Sequence, residues 1–244
     1  MYKNALRGFA AAGLLVMGLS GCGGAGSSTD AASTPASETP TPTATATPAK
    51  AYTLEELTAI LGQIKDKQGA KLNVMSSADM SGAMEQSKAL MAQMDVQPAV
   101  CEDMAMGSLA QPLDGVKAAF GVSQDAATGS VSTISLGTGL GDQIAAKAQE
   151  GKNQIAQCST MTMSGPTGSS TITVTDLGEK KPANALFAYR LDTELSSGGK
   201  GSVIMSQAVD QNVLISVIGM GGKTEEAALA SVTTLLDQAT ELIK

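Results

Sequence analysis

The sequence predicts an α+β fold: an antiparallel β-sheet with helices packed on one face, forming a single domain. Three observations lead there. Five strand-like runs follow one another between residues 160 and 220, and turns too short for crossover helices join the last three. Capped helical patterns open and close the same region. Residues 51–244 have the length of one ordinary domain, enough to bury a sizeable core.

Each element has its own signal. "YTLEELTAILGQIKDK" reads as a helix, because Thr53 and Glu56 make a capping box and Leu54, Leu57, Ile60, Leu61 and Ile64 form one stripe. "KLNVMSS" is a short strand or extended link. Helical patterns follow over 79–95 and 98–109, the second carrying Cys101. "VKAAFGV" and "VSTISLG" are β-like runs around the turn-rich "SQDAATGS". Residues 140–158 are again largely helical, with Gly151 as the point where the helix breaks.

The second half is β-rich. "TMTMS", "STITVTDL", "ALFAYRLDTEL", "GSVIMSQAV" and "NVLISVIGM" are consecutive strands, and "SSGGKG" and "DQN" are tight turns that make the last three an antiparallel meander. The chain closes on a helix. Thr224 caps it, and Glu225 and Glu226 sit favourably in its first turn. Leu229, Val232, Leu235, Leu236 and Leu242 form its buried side.

Two segments precede the domain. Residues 1–21 have the layout of an export signal: Lys3 and Arg7, then an apolar run from Gly8 to Leu19, then small residues. The run is too short to span a bilayer core, which takes ~20 residues. Leu19-Ser20-Gly21-Cys22 resembles a bacterial lipobox. The resemblance implies cleavage before Cys22 and a diacylglyceryl thioether on its sulfur. Two acyl chains, such as palmitate, at ~0.8 kcal/mol per buried CH₂ make a stable anchor. Residues 22–50 hold Ser, Thr, Ala, Gly and Pro with almost no large apolar side chain, so they form a disordered, semi-stiff tether.

The charge balance excludes some partners. The chain has 16 Lys plus Arg against 23 Asp plus Glu, and its foldable region has no basic cluster. Nucleic acid binding and direct docking on anionic membranes are therefore not expected. The bilayer is instead a partner through acylated Cys22, and the domain is left to meet a small molecule or cell-envelope ligand.

The chain has three cysteines. Lipidation of Cys22 leaves Cys101 and Cys158 as an even pair in an oxidising compartment. A metal site and a redox pair are the alternatives to a disulfide. Two thiols 57 positions apart in a chain without His make a poor metal set and are no Cys-x-x-Cys, so the disulfide is preferred.

Three features together resemble the PknH-like extracellular sensor domains of mycobacterial receptor kinases and actinobacterial lipoproteins. They are the opening helix "TLEELTAIL", the pair Cys101 and Cys158 around a β-β-α stretch, and "QNVLISVIGMGG" before an Ala-rich final helix. The resemblance covers nearly all of 51–244. It implies a cleft and a sensing or binding role, and names no substrate. The family usually carries four cysteines and a Trp before the second; here Ile155 takes roughly that Trp position.

Methionine is abundant, with 13 in the chain. Met80, Met84, Met91 and Met94 fall on one helical face. Such a stripe fills a core in the first reading, lines an adaptable cleft for a hydrophobic ligand in the second, and binds Cu(I) in the third. Core filling is preferred, and the four residues are the ligand-cleft candidates. No metal and no cofactor is expected.

Catalysis has little support. Without His, a Ser-His-Asp arrangement is impossible, and no catalytic residue is assigned. "VIGMGGKTEEAA" mimics a phosphate-binding loop, but Val217 stands where that motif needs Gly. "LGTGLG" lacks the last Gly of a dinucleotide turn. The sequence thus reads as a non-enzymatic, sensor-like binding lipoprotein on the extracytoplasmic face of the cell membrane. A carrier of a lipid-like molecule is the alternative, with a Met-based copper protein behind it.

Overall fold

Five helices and nine strands alternate along the computed structural model, which describes residues 50–244 apart from 108–115, 126–127, 140–142, 167 and 222–223. The export signal, Cys22 and nearly all of the tether lie outside the described residues, and those that are described fall in one compact unit. In chain order the elements are α1 (Leu54–Leu61), β1 (Asn73–Ser76), α2 (Ser77–Met91), β2 (Asp95–Gln97), α3 (Glu102–Gly107), β3 (Lys117–Asp125), β4 (Ser130–Thr138), α4 (Gln143–Gln157), β5 (Thr160–Gly165), β6 (Gly168–Asp176), β7 (Phe187–Leu195), β8 (Lys200–Asp210), β9 (Val213–Met220) and α5 (Glu225–Leu242).

The strands form one nine-stranded sheet, ordered β1-β3-β4-β9-β8-β7-β6-β5-β2, with every pair antiparallel. The α+β class and the antiparallel sheet are those the sequence predicts. Its register separates two faces. Face A carries Ala119, Ile134, Leu136, Ile215, Val217, Ile204 and Ala188; face B carries Met161, Ile172, Val174, Tyr189 and Met205.

Helices cover both faces, each over half its width, rather than one face alone. α1 and α5 pack on β3, β4, β8 and β9 and enclose a first core on face A. α4, which packs on β6 and β8, and its neighbour α3 enclose a second core on face B. The reason lies in the shared strands. β7 and β8 present apolar side chains on both sides, Ala188 and Ile204 to one core, Tyr189 and Met205 to the other, so each face needs cover there.

Local chemistry explains the helices. Thr53 Oγ1 accepts from the Glu56 N–H at 3.2 Å while the Glu56 carboxylate accepts from the Thr53 N–H at 2.9 Å, completing the predicted capping box. Ser76 and Asp79 make a second one, so α2 starts at Ser77, two residues before the pattern suggests. Gly151 does not break α4. It lets the helix close on Phe187, whose Cζ would lie 3.0 Å from a Cβ at that position.

Gly219 does the same for α5. A Cβ there would stand 2.9 Å from Val232 Cγ2 and 3.4 Å from the Ala228 carbonyl oxygen. Gly219→Val is therefore expected to lower stability by about 1–3 kcal/mol, read from urea unfolding midpoints at unchanged slope.

The capping boxes also predict a response to acid. The Thr53 backbone N–H and then Lys50 hold the Glu56 carboxyl below its ordinary value; the Ser76 hydroxyl and backbone N–H do so for Asp79. Their stabilisation is complete above the ordinary carboxyl values and lost as pH falls through the lowered ones. Amide exchange in the first turns of α1 and α2 is expected to accelerate in that window, below about pH 4.5, relative to exchange in β8 and β9.

Candidate functional site

Helix α2 departs from the rest of the fold. It begins beside β1 at one edge of the sheet, and the chain then enters β2 at the other. Eight steps of roughly 4.8 Å would hold those edges about 38 Å apart in a flat sheet. α2 is 15 residues long, or about 22 Å. The residues after it turn rather than extend, with Gln93 N–H to the Leu90 carbonyl at 3.1 Å and Met94 N–H to the Met91 carbonyl at 2.9 Å. The sheet therefore curls until one helix bridges its edges. Met94 lies over face B, since a Cβ on Gly165 would overlap its sulfur.

α2 packs on β1 and β3, and face B of β1, β3 and β4, with β9 beside them except at Ile218, lies outside both cores. The register places Met75, Phe120, Val122, Val131, Leu214 and Met220 there. The first five are half-buried and Met220 is 42% exposed. Thr133, Ser135 and Ser216 stand among them, and Asn73 and Gln124 are exposed on the same face, so the surface is apolar with scattered polar groups. Phe120 is opposite Met75 on one side and Ser135 on the other. Tyr52, Phe187 and Tyr189 each belong to a core, and Phe120 belongs to neither.

The uncovered half of face A is polar instead. Thr171, Thr173, Asp192, Glu194 and Ser202 border an open groove of about 380 Å³. Arg190 pairs with Asp192 at 2.8 Å and with Glu225 at the start of α5. The apolar surface with sparse hydroxyls has the composition of a small-molecule site; the polar groove has that of a solvated sheet face.

The residues singled out in the sequence fall in different places. Cys101 and Cys158 form a disulfide, with Cα atoms 5.6 Å apart and no exposure of either residue. It joins the turn before α3 to the end of α4 inside the second core. Met80, Met91 and Met94 are half-buried and belong to neither core, and the Met84 side chain lies outside the described residues.

Four other methionines are gathered in the second core. Met104, Met161 and Met205 are buried there and Met163 packs against them. The Tyr189 hydroxyl donates to Met205 Sδ at 3.2 Å, and burial pushes that phenol up to about 12, so it stays neutral. These thioethers fill a core with few aromatics, the role their flexibility suits. Sequence reading missed Phe120 and its neighbours. The available signal was the apolar run "AAFGV" after Lys117, which implies a strand with something on both sides.

No family model matches the chain, and no curated protein matches it. The similar solved structures include two from mycobacteria. The extracellular domain of PknH from Mycobacterium tuberculosis aligns at 12% identity and a TM-score of 0.49, over 79% of this chain and 99% of that one. An uncharacterised protein from Mycobacterium smegmatis, an Rv0999 ortholog, aligns at 14% identity and a TM-score of 0.38, over 60% of this chain and 76% of that one.

Proposed function

We propose that this protein is a lipid-anchored, extracytoplasmic binding protein of sensor-like type that takes up a small ligand without transforming it. One observation carries the binding role: the half-buried apolar surface around Phe120, beside which α2 packs on β1 and β3, is incorporated in neither core. A surface of that kind is stabilised by a ligand with an apolar body and a few hydrogen-bonding groups. The lipobox at the end of an export signal, and the tether behind it, support the anchored location. No reaction is proposed.

Two experiments test the two halves. In a bacterial host with lipoprotein processing, Cys22→Ser is expected to move the protein from the membrane fraction into the soluble one; retention on the membrane would refute the anchor. For the ligand surface, a fluorescent fatty acid is expected to bind the Cys22→Ser protein saturably. Phe120→Ser is expected to weaken that binding at least about tenfold while leaving the circular dichroism spectrum intact. Undiminished binding by Phe120→Ser would refute this location.

The carrier reading draws on the same surface. It is favoured over sensing if a lipid-like molecule stays bound at one per chain through purification.

A further inference from the structure

The strands around Phe120 turn every charged side chain away from it. β1, β3, β4, β9 and β8 carry Lys117, Asp125, Lys200 and Asp210, and the register sets all of them on face A. On face B the polar side chains of these strands are hydroxyls and amides alone: Asn73, Gln124, Thr133, Ser135, Gln207 and Ser216. The neighbouring helix adds no buried charge. In α2, which packs on β1 and β3, Asp79, Glu85 and Lys88 are exposed, while Met80, Ser87 and Met91 are half-buried.

Three of the uncharged polar groups stand in a line. Across β1, β3, β4, β9 and β8, one row of directly opposed residues on face B reads Met75, Phe120, Ser135, Ser216 and Gln207. All five are half-buried. The row is apolar at one end and carries hydroxyl and amide groups at the other. Opposed side chains on neighbouring strands have Cβ atoms roughly 5 Å apart, so one head group can reach Ser135, Ser216 and Gln207 together. The full row covers four strand spacings, about 19 Å in a flat sheet, which leaves room for a chain beside the head. Serine and glutamine side chains both donate and accept, so they suit hydroxyl and ester groups. An ionised head placed there would give up its water without meeting an opposite charge, which is costly.

On the reading of the Phe120 surface as the ligand site, we propose that its ligand is an uncharged amphiphile of the acylglycerol class. The hydroxylated head is held by Ser135, Ser216 and Gln207, and the acyl chain lies over Phe120 and Met75. The absence of charge on this face makes the site selective: a fatty acid anion with the same chain is held more weakly than its neutral glyceryl ester.

The test uses the Cys22→Ser chain, residues 22–244, with the fluorescent fatty acid as probe. A monoacylglycerol and the free fatty acid of equal chain length compete for the probe's site at about pH 8, where the free acid is ionised, both below the concentration at which they aggregate. The monoacylglycerol is expected to displace the probe at least about tenfold more effectively. The double variant Ser135→Ala and Ser216→Ala is expected to bring the two competitors within about threefold, and Ser216→Lys to reverse their order, each variant confirmed folded by circular dichroism. Equal displacement by the two competitors, or a preference that the double variant retains, would overturn this inference and leave the site in place. A parent chain that does not bind the probe and retains neither competitor in equilibrium dialysis would remove the site and this inference with it.

Discussion

Replacing both Cys101 and Cys158 with alanine is expected to cost about 4 kcal/mol, the loop-closure entropy of a bridge spanning 57 positions. For a domain of this size that corresponds to a fall of about 8–16 °C in melting temperature. The effect has two physical sources. The bridge restricts the unfolded chain, and its sulfurs occupy space inside the second core beside Met104, Ile155 and Met161. The alanine side chains fill less of that space, so α3 and α4 are expected to exchange amide hydrogens faster than α1 and α5 do. A double variant melting within about 2 °C of the parent would show that the bridge adds little to the second core.

Phe187→Ala is expected to be nearly as damaging, at about 3–5 kcal/mol. Phe187 stands on β7 under α4, against Gly151 and 6.2 Å in ring-centroid distance from Tyr189. Truncation opens a cavity that a helix fitted to the ring through a glycine cannot easily close. The contrast with Phe120 is the informative part. Phe120 is half-buried and belongs to neither core, so Phe120→Ser is expected to shift the unfolding midpoint by less than half as much. Equal losses at the two positions would place Phe120 in a core and remove the ground for a ligand surface there.

Much of this fold is legible in the sequence because its local signals agree with one another. Thr53 and Glu56 specify the start of α1, and Gln211 and Asn212, with φ of 43° and 59°, form the "DQN" turn that sets the register of β8 on β9. The division of helices between two faces was not legible. A strand such as "ALFAYRLDTEL" shows that both its sides are apolar, but not which helix will cover each. β2 was missed because three residues between a helix and Pro98 carry too little pattern. Gly151 was misread because a glycine that weakens a helix locally can be retained for the close approach of another side chain.

The candidate site was less legible still. The methionine periodicity marked one face of α2, but the apolar surface around Phe120 is assembled from β1, β3, β4 and β9, which are distant in sequence. No window of the chain contains that surface.

The most direct measurement on the central claim is native mass spectrometry of the Cys22→Ser protein purified from a bacterial host, beside its Phe120→Ser variant. The account predicts an oxidised chain carrying one small, largely apolar molecule, and the same chain without it in the variant. A parent protein that carries copper in its place, that carries nothing, or whose bound molecule survives the loss of Phe120 would contradict it.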